Sequence, residues 1–181
     1  MRKYVLSLVV LILANYAQAT SVLERAIVEC SISTQNVFEE ISLKFVQTQD
    51  ADNNVFEDYV LDYTEGELDG RTSDIFGRHE QVRDRIFTSA NASEDGVIAT
   101  GAEDYQMIML FDHSEVVVNL EYQGRDQDNF PTYSMSFAGE GPAYELTVQR
   151  VQEKLAASEH YNRFDNPLCV SHFNLNEFVT N

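Results

Sequence analysis

Apolar and polar side chains alternate most regularly in the second half of the chain. Residues 97–100, 105–111, 115–123, 132–138 and 144–148 each read as a short strand, most with the period of two of a half-buried one. The links between them are polar. Asp112-His113-Ser114 is a tight connection, and the stretch from Gly124 to Asn129 is a longer one ended by Pro131. Short links join antiparallel neighbours, so the pattern predicts a meander rather than crossover units. One face of it would carry Tyr105, Met107, Met109 and Phe111, then Val118, Leu120 and Tyr122, then Tyr133, Met135 and Phe137. The other would carry Gln106, Asn119, Glu121, Ser134 and Ser136, and would face water.

Helical spacing occurs in two places. Val22, Leu23, Ala26, Ile27 and Cys30 share one helical face, and Ser21 with Glu24 has the form of a capping box, which predicts a helix over 22–31. Val148, Val151 and Leu155, with Ala156 beside them, predict a second over 147–160. Residues 38–48 fit both periods. The polar break from Ser31 to Asn36 favours a strand there, and a further strand is expected at 56–64. Residues 64–71, acidic with two glycines, read as a loop or turn. Residues 74–87 hold the apolar pairs Ile75-Phe76 and Ile86-Phe87 with charges between, and follow no single period. The fold expected is a single α+β domain over 20–181: a mainly antiparallel, twisted sheet flanked by an N-terminal and a C-terminal helix.

Residues 1–19 have a different character. Arg2 and Lys3 precede an almost continuous apolar run of 11 residues from Tyr4 to Ala14, and Ala17-Gln18-Ala19 offers small residues at a cleavage site. This is the three-part pattern of a secretory signal peptide, and its apolar run is too short to span a bilayer. The mature chain would begin near Thr20, in the periplasm or outside the cell, with no transmembrane anchor. The whole chain has 30 acidic and 12 basic residues, a net charge of −18. Residues 1–19 hold two basic and no acidic residues, so cleavage takes the net charge to −20. Such a surface argues against nucleic acid as a partner, because phosphate is held by Lys and Arg.

The compartment gives the two cysteines their meaning. In an oxidising environment Cys30 and Cys169 most simply pair, tying the tail to the first element. Two cysteines cannot make a four-thiolate zinc site, and there is no CxxC; the alternative to a disulfide is a reactive thiol or half of a metal site, for which His172 stands three residues after Cys169.

Motifs for chemistry are incomplete. His79-Glu80-Gln81-Val82-Arg83 has Arg where a zinc-protease helix needs its second His. Asp112-His113-Ser114 holds the residue types of a catalytic triad, but neighbours in sequence do not converge as one. Asp50, Asp52 and Asn54 begin like a calcium loop, which fails at Val55 and Leu61. Asp126 and Asp128 form a second acidic turn. A weak calcium site at either turn is the one cofactor the sequence suggests. Asn91-Ala92-Ser93 is a glycosylation sequon. There is no Gly-rich phosphate loop and no GxSxG elbow. The sequence thus identifies no catalytic residue. It suggests a non-catalytic secreted or periplasmic binding module for a small apolar ligand or a protein partner. The candidate ligand face is Tyr105, Met107, Met109, Phe111, Tyr122, Tyr133, Met135 and Phe137. The alternative is a small secreted hydrolase using carboxylates or His79, His113, His160 or His172. Because carboxylates dominate the surface, the melting temperature should rise as sodium chloride screens their repulsion. A melting temperature that does not respond to salt would show that the charges are already paired or well dispersed.

Overall fold

The computed structural model describes residues 21–33, 37–68, 78–157 and 168–180. They form one nine-stranded sheet in the order β4-β3-β2-β1-β9-β8-β7-β6-β5. The strands are β1 (Ser21–Ser33), β2 (Val37–Gln49), β3 (Val55–Leu68), β4 (Arg78–Thr88), β5 (Glu94–Ala99), β6 (Tyr105–Phe111), β7 (Ser114–Arg125), β8 (Pro131–Glu140) and β9 (Leu168–Val170). Every pairing between them is antiparallel. The sheet is two four-stranded meanders, β1 to β4 and β5 to β8, joined edge to edge by the three residues of β9.

The C-terminal meander follows the alternation in the sequence. Tyr105, Met107 and Met109 of β6 are buried, and Met107 stands opposite Val118, which stands opposite Phe137. On the other face Gln106 Nε2 donates to Asn119 Oδ1 at 2.9 Å, and Gln123 Nε2 donates to Ser134 Oγ at 3.1 Å. The buried face of β1 to β4 joins the same core: Ile41, Leu43, Leu61 and Tyr63 cluster with Met107, Met109 and Val118. For two ends of one sheet to share a core, the sheet must curl. Phe87 of β4 accordingly meets Phe111 of β6 edge to face, ring centroids 5.4 Å apart.

The one α-helix among the described residues, α1 (Pro142–Ala157), lies on the concave side against β7, β8 and β4. It begins five residues before the expected 147 and absorbs the strand expected at 144–148. The chain enters it through Gly141, whose φ of +86° suits glycine. Pro142 takes the first turn, where its missing N–H costs nothing, and Ser114 Oγ accepts the Ala143 N–H at 3.1 Å. Thr147 and Val151 face the core, while Arg150 reaches the Ile86 carbonyl at 3.0 Å.

The expected N-terminal helix is a strand. β1 pairs with β2 along its whole length, with a bulge between Ala26 and Val28. The extra residue there lets Ile27, Val28 and Cys30 all be buried, which reproduces the i, i+3 spacing of a helix face. Val22 and Leu23, at the start of that stripe, are exposed, and Glu24 pairs with Arg83 at 2.7 Å instead of capping a helix. Bulges also explain the unreadable stretch before residue 88. The β3–β4 register shifts twice, and one shift buries Ile86 between Arg85 and Phe87. β3 runs on to Leu68, through residues read as a loop.

The outer face of β2 to β4 encloses a charge. Asp62 is 1% exposed. Its Oδ2 accepts from Arg83 at 3.0 and 2.8 Å and from Lys44 at 3.3 Å, and Arg85 Nε stands 3.6 Å from Oδ1. The free edges of the sheet are also treated. β4 is rich in charge, and Val179 and Thr180 lie along β5, Thr180 N–H donating to the Val97 carbonyl at 2.8 Å.

Cys30 and Cys169 form a disulfide between β1 and β9, with Cα atoms 4.0 Å apart. Its 139-residue span removes much unfolded-state entropy, about 5 kcal/mol by chain entropy and commonly about 2–4 in practice. The Cys30→Ala/Cys169→Ala chain should therefore lose about 2–4 kcal/mol of unfolding free energy in urea titration. A loss under about 0.5 kcal/mol would show that β9 is held by its hydrogen bonds and packing alone.

Candidate functional site

A cavity of about 370 Å³ opens at one end of the curled sheet. Three pieces of chain build it. Tyr105 begins β6, Arg125 ends β7, and Pro131 and Tyr133 begin β8, so antiparallel pairing brings them to the same end. Glu103 comes from the loop before β6. The opposite wall is the tail from Ser171 to Asn176.

The tail is held by Ser171, which is fully buried. Its hydroxyl donates to the Ile27 carbonyl at 2.7 Å and accepts the Phe173 N–H at 3.3 Å. Its own N–H donates to the Pro131 carbonyl at 3.0 Å, so one residue ties β1, β8 and the tail together. Beyond it, Asn174 Oδ1 accepts the Asn176 N–H and starts a 3-10 turn at Leu175–Phe178. Leu175 enters the core.

Tyr105 and Tyr133 are 4% and 2% exposed, with rings 6.2 Å apart; Tyr122, on the intervening strand β7, packs on Tyr133 at 6.1 Å. Neither the Tyr105 nor the Tyr133 hydroxyl makes a hydrogen bond to another described residue. Burial, with the neighbouring Tyr105 and Glu103, pushes the Tyr133 phenol up to about 12, and burial also raises Tyr105. Both are therefore neutral donors at ordinary pH. At the rim Arg125 donates to Glu103 at 3.2 Å and to the Asn129 carbonyl at 3.0 Å. His172 stands against the edge of Phe130, centroids 4.6 Å apart, with Nε2 3.5 Å from Glu29.

All eight residues of the expected ligand face lie on the core-facing side of the sheet, but they divide. Tyr105 and Tyr133 line this cavity. Met107, Met109 and Met135 are buried inside the core, and Phe111, Tyr122 and Phe137 pack at its margin.

The acidic turns are hairpin devices. Asp50 Oδ1 accepts the N–H groups of Asp52 and Asn54, each at 2.9 Å. Asp126 Oδ1 accepts those of Asp128 and Phe130 at 3.0 and 2.8 Å. In each turn the fourth residue, Asn53 or Asn129, adopts a left-handed φ of 65° or 68°. The same five-residue turn thus closes β2–β3 and β7–β8. Hydrogen bonds from Asn54 and Asp52 hold the Asp50 carboxyl below its usual range. No cluster of three His, Cys, Asp or Glu residues that could hold a metal ion occurs among the described residues.

Asp112 and His113 are exposed at the β6–β7 turn, at the other end of β6 from the cavity, and Ser114 is engaged by α1. The stretch from His79 to Arg83 is strand, not a metalloprotease helix. His160 lies outside the described residues. Sequence reasoning missed Glu103, Arg125, Asn129 and the aromatic and amide residues of the tail. The one available signal was the density of Phe, His and Asn just after Cys169.

Comparison with protein-family models, with curated proteins and with solved structures finds no match to this chain.

Tyr59 is likewise pushed up to about 12, by burial and then by Asp95 and Glu57. Below the ordinary phenol value of about 10 these tyrosines are neutral whether folded or unfolded. Between about 10 and 12 the unfolded chain releases protons that the folded chain keeps, so stability falls as pH rises through that window. Absorbance at 295 nm should therefore rise together with loss of circular dichroism. Full phenolate absorbance in a still-folded protein at pH 10.5 would contradict the burial assigned to Tyr59 and Tyr133.

Proposed function

We propose that this is an exported, non-catalytic binding protein whose site is the cavity between the β6–β8 end of the sheet and the C-terminal tail. The observation that carries the reading is the pair Tyr105 and Tyr133, whose rings are buried and whose hydroxyls bond to no described residue and are not sealed from solvent where both residues line the cavity. Polar groups open at a cavity wall are suited to a ligand. The volume is at the small end of the range for ligand pockets.

The wholly apolar ligand expected from the Met and aromatic stripe has less support. The methionines are spent on the core, and the cavity walls mix aromatic rings with amides, Arg125, Glu103 and His172. Export rests on the signal pattern in residues 1–19, which lie outside the described residues, and is supported by the disulfide. No helix among the described residues is long and apolar enough to cross a membrane.

A second reading, a hydrolase, draws on the 3.5 Å approach of His172 to Glu29 beside the cavity. It ranks lower because the nearest aliphatic hydroxyl, that of Ser171, is committed to Ile27 and Phe173.

Nuclear magnetic resonance with small organic probes tests the site. Phenol and acetamide, added at millimolar concentration to the disulfide-intact protein, should shift the amides of Tyr105, Tyr133, His172 and Asn174. Shifts scattered over the surface, or none, would remove the reading.

A further inference from the structure

We propose that the cavity takes a neutral, hydroxylated ring the size of a mono- or disaccharide, recognised by stacking on its aromatic walls and by hydrogen bonds to Tyr105 and Tyr133. This rests on the binding-protein reading above and adds the ligand class.

Three properties of the walls select this class. The first is charge. Glu103 and Arg125 pair with each other at 3.2 Å, and His172 faces Glu29 at 3.5 Å. An anion entering the cavity would find a guanidinium whose charge is already balanced, within a protein of net charge −18. A cation would meet Arg125 beside the carboxylate. Neither gains an uncompensated counter-charge, and an ion gives up hydration on entry.

The second property is unmet hydrogen bonding. An apolar ligand would displace water from the Tyr105 and Tyr133 hydroxyls and leave them unpaired, which weakens its binding. A ligand hydroxyl both donates and accepts, as a phenol hydroxyl does, so it can satisfy them in either sense. The tail adds amides of the same dual character. Asn174 uses its oxygen for the Asn176 N–H and keeps its NH₂ as a donor.

The third is apolar surface. Phe130 and Phe173 give the cavity its accessible aromatic surface, because the rings of Tyr105 and Tyr133 are themselves buried. A sugar ring has C–H faces for such walls and hydroxyls around its equator for the amides and phenols. A strongly hydrated, chain-like polyol lacks the flat face, and toluene lacks the hydroxyls. A volume of about 370 Å³ admits one ring, or two at most.

Isothermal titration calorimetry on the disulfide-intact protein tests the assignment with three probe sets: glucose, N-acetylglucosamine, cellobiose and maltose; the charged glucuronate and glucosamine; and toluene. The expected result is saturable binding of at least one neutral saccharide. That affinity should fall about three- to tenfold in Tyr133→Phe and in Tyr105→Phe, which remove a hydroxyl and keep the ring. Tighter binding of glucuronate, glucosamine or toluene than of every neutral saccharide would overturn the ligand class while leaving the binding site standing. Saccharide binding indifferent to both tyrosine variants would overturn it equally. If no probe binds but phenol and acetamide still map to the cavity, the class falls and the site remains. If those probes miss the cavity too, both fall.

Discussion

The structure depends on a seam three residues wide. β1 to β4 and β5 to β8 are each complete meanders, and among the described residues strand pairing joins them through β9, which lies between β1 and β8. Such a short strand cannot hold two sheets by hydrogen bonds alone. The Cys30–Cys169 bridge makes the β1 side of the seam covalent, and Ser171, buried directly after it, ties β1 and β8 to the tail. The candidate site inherits this constraint. Its tail wall exists only because β9 has delivered residues 171–176 to the open end of β6, β7 and β8.

The acidic composition takes on local form in the fold. Lys44, one of the few lysines, is spent with Arg83 and Arg85 on a single buried carboxylate, Asp62. Asp50 and Asp126 are spent on hairpin turns, and Glu103 on Arg125 at the rim of the cavity. Carboxylates of very similar appearance in the sequence thus do three kinds of work. Isolated at the turns, they satisfy backbone N–H groups. Buried among cations, they anchor an outer face. At the rim, they neutralise a guanidinium and leave the cavity without net charge.

Legibility followed the regularity of the backbone. β6 was readable residue for residue because it carries no bulge and alternates strictly, and β7 and β8 to within a few residues because their one register shift falls near the end of β7, between Tyr122 and Gly124. β1 was misread because a bulge after Ala26 converts a period of two into a local period of three to four. β4 was unreadable because the β3–β4 register shifts twice and because it is a charged edge strand. Of the site, Tyr105 and Tyr133 were visible as part of an apolar stripe, but nothing separated them from Met107, Met109 and Met135. The difference is position along the strand. Residues at its start reach the open end, and those at its middle are sealed by the first meander and α1.

The amino-acid sequence by itself determined the antiparallel meander of the second half, its wet and dry faces, the acidic surface and the pairing of the only two cysteines. These follow from local rules: side-chain period, turn chemistry and the lack of any other thiol. Only the tertiary structure decided that two meanders share one curled sheet, that the first element is a strand, and that a cavity forms between Tyr133 and the tail. Those outcomes depend on which distant segments meet. A bulge at Ala26 or a three-residue strand at Leu168 leaves almost no local trace, because each is stabilised by partners outside its own segment, β2 for the one and β1 with β8 for the other.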